Sequence, residues 1–168
     1  MTPRLQKLSD LLSEFKPMER LNEITIEVEA AQYRSACERL RGEPYGFEQM
    51  LDLCGVDYAS YGDKPREGSR FAVVLHLLSI KNNWRLRVRV FCPDDSFPVV
   101  ASLVEVWPSA SWYEREAFDL FGIDFKGHPN LVRIMLPDTW QGHPLRRTEP
   151  LGSEPVDFTV TRNVYAHD

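Results

Sequence analysis

Residues 3 to 15 place Leu5, Leu8, Leu12 and Phe15 on one side of a helix, with polar residues between them. Thr2 is positioned to cap this helix, Pro3 suits its first position, and Pro17 stops it. Glu23 to Glu29 then alternates, with Ile24, Ile26 and Val28 facing in and Thr25 and Glu27 facing out, which predicts a half-buried strand. Residues 30 to 41 return to the helical period through Tyr33, Ala36, Cys37 and Leu40, and Gly42 terminates them. Phe47, Met50, Leu51 and Cys54 share a helical face and predict a short helix, followed by a short strand over Val56 to Tyr58.

Residues 59 to 69 form a polar loop with Gly62, Pro65 and Gly68. Arg70 to Ile80 is almost wholly apolar and reads as a buried strand, with His76 as a core histidine. Asn82 and Asn83 suit a tight turn, because asparagine tolerates positive φ. The return strand, Arg85 to Cys92, sets Leu86, Val88, Val90 and Cys92 on one face and Arg85, Arg87 and Arg89 on the other, read most simply as a solvent face, with a partner-binding patch as the alternative. Pro98 opens a helix through Val106, Pro108 ends it, an aromatic and acidic helix follows, and Leu131 to Leu136 is a last strand. Beyond Pro137 the prolines at 144, 150 and 155 break any period, so this arm needs a host to order it. These elements mix helices and strands in one globular domain, residues 1–136, and an extended C-terminal arm spans residues 137–168.

The aromatic and acidic helix carries the densest chemistry of the chain. On 100° steps Trp112, Arg115, Glu116 and Asp119 form one stripe, while Tyr113, Ala117, Phe118, Leu120 and Phe121 form the other side, with Glu114 among them. Ser111 and Glu114 have the spacing of a capping box. A helix aromatic on both sides is buried on both sides. One side packs on its own sheet, and the other needs a partner that pairs Arg115, Glu116 and Asp119. Two Gly-His-Pro triplets, with His128 and His143, and the Arg146–Arg147 pair follow. His128 and His143 lie 15 residues apart on irregular chain, unlike the close ligand pairs of zinc sites, so turns fixed by glycine and proline account for them better than a metal does.

Composition narrows the function further. A net charge of −5 argues against nucleic-acid binding, and no apolar run reaches the roughly 18 residues that span a bilayer. Cys37, Cys54 and Cys92 are widely spaced within apolar patterns, without a C-x-x-C, and read as core thiols rather than cluster or zinc ligands. No Gly-rich phosphate loop or nucleophile elbow occurs.

The run Trp107-Pro108, Trp112-Tyr113-Glu114-Arg115-Glu116-Ala117-Phe118-Asp119-Leu120-Phe121-Gly122, Gly127-His128-Pro129, Arg133-Ile134-Met135-Leu136-Pro137 and Gly142-His143-Pro144-Leu145-Arg146-Arg147 resembles the thirty-kilodalton subunit family of respiratory complex I. Leu53-x-Gly55-Val56-Asp57-Tyr58 and His76-Leu77-Leu78-Ser79 resemble it too. One departure is that Thr148-Glu149-Pro150 stand where the family usually has an acidic residue, an aromatic and proline.

The resemblance implies an α+β fold, a two-layer α/β sandwich with helices packed on a mixed sheet, and a non-redox scaffold role in the peripheral arm of NADH–quinone oxidoreductase, on the cytoplasmic side of the bacterial inner membrane. NADH, FMN, iron–sulfur clusters and quinone would belong to partner subunits, the cluster-bearing and quinone-site chains, during electron transfer coupled to proton translocation. The membrane would be met only through the complex. Partner-facing residues would be Trp112, Glu114, Arg115, Glu116, Asp119, His128, His143, Arg146 and Arg147. Two alternatives are a homologous subunit of a membrane-bound hydrogenase or ferredoxin-linked complex, and a free-standing metal hydrolase using His128 and His143.

Overall fold

A computed structural model describes residues 2–59 and 68–149. Helix α1 (Pro3–Leu11) is capped by the Thr2 hydroxyl, which accepts from Leu5 N–H, and a 3₁₀ turn at Ser13–Phe15 tightens its end. Leu8 and Leu12 are buried, each contributing about 2 kcal/mol by leaving water. Strand β1 (Met18–Arg20) turns into β2 (Glu23–Val28), whose alternation buries Ile24, Ile26 and Val28. Helix α2 (Tyr33–Arg41) ends at Gly42 and buries the expected Tyr33, Ala36, Cys37 and Leu40. Strands β3 (Gln49–Asp57), β4 (Phe71–Ser79) and β5 (Trp84–Phe91) complete a five-stranded sheet in the order β1-β2-β5-β4-β3. Within this sheet only the β2–β5 pair is parallel, so the sheet is mixed as expected.

Helix α3 (Ala110–Phe121) packs along β3, and α1 packs against β2. Gly55 permits the approach of α3, because a Cβ there would lie 2.7 Å from the Phe121 ring. A small parallel pair, β6 (Val99–Ala101) with β7 (Asp124–Lys126), flanks α3 at both ends of its sequence. The core includes Val73, Leu75, Leu77, Leu86, Val88, Val90 and Leu53 on one sheet face, while Arg87, Arg89, His76 and Cys54 alternate onto the other. Among the described residues no helix is long and apolar enough to cross a membrane.

Several expectations are corrected. The helix expected over Phe47 to Cys54 is the start of β3. A bulge between Met50 and Asp52 leaves Leu51 and Asp52 both exposed and breaks the two-residue alternation, so the buried residues Phe47, Met50 and Leu53 acquire a helix-like spacing. The helix expected from Pro98 to Val106 is instead β6 and a turn, because Pro98 O accepts from Asp124 N–H and Ser102 N–H pairs with Lys126 O. The strand expected at Leu131 to Leu136 is irregular, because its amides turn to a side chain described below. Cys54 is exposed rather than core, and His76 is half-exposed on the open sheet face, 3.6 Å from Glu23. Of the expected polar loop at 59–69, residues 60–67 lie outside the described residues, as do residues 150–168 of the expected arm.

Candidate functional site

Helix α3 carries two fully buried carboxylates, and each is tied to a different part of the chain. Glu114 faces the interior. Its Oε1 accepts from Leu103 N–H and its Oε2 from the Ser102 hydroxyl, both at 2.6 Å. The capping box with Ser111 is therefore not formed. The N-cap is Ser109, which makes no side-chain cap bond, and Glu114 secures the end of β6 instead. Burial with no cation among these partners raises its pKa to about 7, against the lowering effect of the two hydrogen bonds.

Asp119 faces the other way. Its Oδ2 accepts from the backbone N–H groups of Ile134, Met135 and Leu136 at 2.8–3.0 Å, and its Oδ1 pairs with Arg133 at 3.1 Å. Burial acts to raise its pKa, but the three amides and the guanidinium outweigh it and hold the carboxyl below the usual range. One side chain thus takes up the donors that a strand at 131–136 would have given to a neighbour.

Arg115 completes this clasp. Its guanidinium donates to Val132 O and Arg133 O at 3.0 Å and lies over the Trp112 ring. The sequence calls for a partner to pair Arg115, Glu116 and Asp119 on the second side of α3; instead the chain's own segment 131–136 pairs Arg115 and Asp119 there. Glu116 and Trp112 stay exposed, Trp112 at 63%.

The following segment is pinned as well. His143 Nδ1 donates to Asp119 O at 2.8 Å, Leu145 N–H reaches Leu120 O, and Arg146 Nε donates to Phe121 O. Gly122 makes this possible. Its φ of 69° closes α3 in the left-handed region, and a Cβ there would meet His143 and Arg146 at about 2.5 Å. The Arg146 guanidinium lies 4.9 Å from the Phe71 ring centre, and burial, with Arg70 nearby, lowers its pKa. Arg147 N–H donates to Asp57, which also holds Arg70 in a two-point ion pair. Burial acts to raise the Asp57 pKa, yet Arg70 and the Ala59 and Arg147 amides hold it at about 2.

His128 belongs to a separate turn. Its Nδ1 accepts from Asn130 N–H, which leaves Nε2–H facing Ser111 O at 3.1 Å. Both nitrogens are thus committed to the chain, and His143 is fixed through Nδ1. That is the chemistry of turns rather than of a paired metal site. Among the described residues no three His, Cys, Asp or Glu side chains converge to hold a metal ion.

Of the residues expected at a partner face, Glu114 and Asp119 are wholly interior. Arg115, His143 and Arg146 bind the chain's own carbonyls, and His128 is half-buried in its turn. Trp112, Glu116 and Arg147 are exposed. Sequence reasoning missed Ser102, Arg70, Arg133 and the role of Asp57. Asp57 lies within one of the family-like runs, and a carboxylate at the end of an otherwise apolar strand is the available signal.

A family model described as the respiratory-chain NADH dehydrogenase 30 kDa subunit matches residues 26–155. One NADH-quinone oxidoreductase subunit, from Burkholderia thailandensis, is 55% identical over 135 residues, covering 80% of this chain and 68% of the relative. The corresponding NADH-quinone oxidoreductase subunit of Dechloromonas aromatica is 54% identical over 158 residues, covering 90% and 79%. Among solved structures, a trypsin-resistant fragment (1–134) of Nqo5 aligns with a TM-score of 0.65 at 29% identity, over 76% of this chain and 99% of that one. One polypeptide of an archaeal membrane-bound sulfane sulfur reductase shares the fold, with a TM-score of 0.58 at 21% identity over 82% and 75%. The chain belongs to the 30 kDa subunit family of the respiratory-chain NADH dehydrogenase.

Proposed function

We propose that this chain is a scaffold subunit in the peripheral arm of a bacterial NADH–quinone oxidoreductase, on the cytoplasmic side of the membrane. It carries no redox group and holds cluster-bearing and quinone-site partners in register. NADH, FMN, iron–sulfur clusters and quinone are bound by those partners. The arm that begins at Pro137 docks on them.

One observation carries the assignment of a docking face. Trp112, Val132, Met135, Trp140 and Leu145 are large apolar side chains left exposed around α3 and the segment it clasps. Arg115 connects Trp112 to Val132, Asp119 holds Met135, and Leu145 is bonded to the last turn of α3. Together they expose on the order of 500 Å², a large share of the roughly 800 Å² that one partner gives to a stable interface. Trp and Met are residue types enriched at the centres of such interfaces. The buried ties beneath them fix the patch in the free chain, so little ordering is needed on docking.

The test replaces Trp112 and Met135 together by alanine. The free chain should melt within a few degrees of the parent, and recovery of the subunit with NADH–quinone reductase from membranes should fall at least tenfold. Normal recovery would remove this face from the assembly. Iron or zinc retained stoichiometrically by the purified chain after dialysis against a chelator would remove the scaffold reading itself.

A further inference from the structure

The opposite face of the sheet carries a feature that the α3 patch does not explain. Strands β1 and β2 are joined by Leu21 and Asn22, with φ of 54° and 62°. A two-residue hairpin closed by a type I′ turn requires this left-handed pair, and asparagine or glycine normally supplies it. Asn22 fits, whereas a leucine in this region is strained by its Cβ. Leu21 is also 89% exposed, so no packing within the described chain repays the strain, and Met18 on the same hairpin is exposed too. Strain kept without an internal benefit points to a role outside the fold.

Beside the hairpin lies a cleft of about 450 Å³ lined by Met18, Arg20, Leu21, Glu23, Arg87 and Arg89, among others. These residues include three guanidiniums and one carboxylate. Glu27, outside the cleft, pairs with Arg89, while Glu23 lies 3.8 Å from Arg87, beyond hydrogen-bond range. The Nε atoms of Arg87 and Arg89 are buried with no acceptor among the described residues. Buried donors are ordinarily paired. Two orphans at alternate positions of one strand leave the cleft short of an acceptor.

We propose that this hairpin and cleft form a second docking site, for a partner protein segment that presents a carboxylate beside an apolar recess. The recess takes Leu21 and Met18. The carboxylate meets Arg20 and Arg87, whose guanidinium turns from its long contact with Glu23. A small anion would satisfy the arginines but gain nothing from the two apolar side chains, which is why the occupant is a protein segment. The proposal rests on the chain being an assembly subunit and adds a contact on the far side of the sheet from α3.

Two single variants test it in the full chain and in membranes. Leu21→Asn supplies a residue that accepts the left-handed conformation. It should raise the melting temperature of the free chain by about 2–4 °C while lowering co-purification with the complex several-fold. Arg87→Gln should lower co-purification roughly tenfold, the worth of one charge-assisted contact, with little change in melting. If both variants assemble like the parent, the docking site is overturned while the assembly reading stands. A change in the oligomeric state of the free chain with Leu21→Asn would assign the hairpin to a second copy of this chain and also overturn the proposal. Failure of the parent itself to co-purify would overturn the assembly reading, and this proposal with it.

Discussion

Glu114 and Asp119 sit five residues apart on one helix, both without exposed surface, yet burial leaves them in opposite states. Glu114 meets one amide and one hydroxyl, and its pKa rises to about 7. Asp119 meets three amides and a guanidinium, and its pKa falls. Desolvation raises both, and at Asp119 the three amides and the guanidinium outweigh it, whereas one amide and one hydroxyl at Glu114 do not. The difference also separates two tasks. Glu114 joins two parts of the domain interior, while Asp119 folds an irregular segment onto the helix and so builds the candidate docking face.

The largest expected effect comes from breaking the Asp119 side. Asp119→Ala strands three amides and Arg133, and should cost about 3–5 kcal/mol, as for other buried charged groups that lose a partner. Limited proteolysis should then open the chain between residues 131 and 149 before the core. If that segment resists cleavage as in the parent, Asp119 is not its anchor.

Breaking the Glu114 side is milder and has the opposite sign. A carboxyl whose folded pKa lies above its unfolded value stabilises most at low pH, and that contribution is lost as pH rises through the folded value. Here the window runs from about pH 4.5 to 7, and the integrated loss is about 3 kcal/mol. Glu114→Gln keeps an acceptor for Leu103 N–H and can donate to Ser102, but does not ionise. It should melt above the parent at pH 8, with the gap closing towards pH 4. Equal melting at both pH values would mean that Glu114 is not the group holding this proton.

Gly122→Ala tests the joint between the two sides. A methyl there would be strained at φ 69° and would collide with His143 and Arg146. The cost should be about 1–2 kcal/mol, seen as lower melting and as faster amide exchange at Leu145, whose N–H is held by Leu120 O.

The sheet and its helices were largely legible in the sequence, because Ile24-Ile26-Val28, Leu86-Val88-Val90 and Tyr33-Ala36-Cys37-Leu40 keep strict periods. The misses share one cause. At Met50 to Asp52 a bulge alters the period, at Pro98 to Val106 a three-residue strand is too short to show one, and at Leu131 to Leu136 a distant carboxylate takes the backbone donors. Each is a tertiary decision with no local signature. The site was legible to the same depth. The angular stripe on α3 points to a partner that pairs Arg115 and Asp119, and no spacing rule says that residues 131–136 of the same chain take that place.

The smallest effect on the fold distinguishes Arg115 from Glu116, which the sequence set together. Arg115 donates to two backbone carbonyls that lie within its own chain, so Arg115→Ala should cost the free chain about 1–2 kcal/mol. Glu116 is exposed, and Glu116→Ala should stay within about 0.5 kcal/mol of the parent. If the outer side of α3 meets a partner, the order reverses for assembly relative to stability. Glu116→Ala should weaken recovery of the complex with no loss in the free chain's melting, whereas Arg115→Ala should weaken both together. Thermal melting beside complex recovery reads this directly. A Glu116→Ala chain that melts and assembles like the parent would return Glu116 to the solvated surface and leave Trp112 and Met135 to carry the contact.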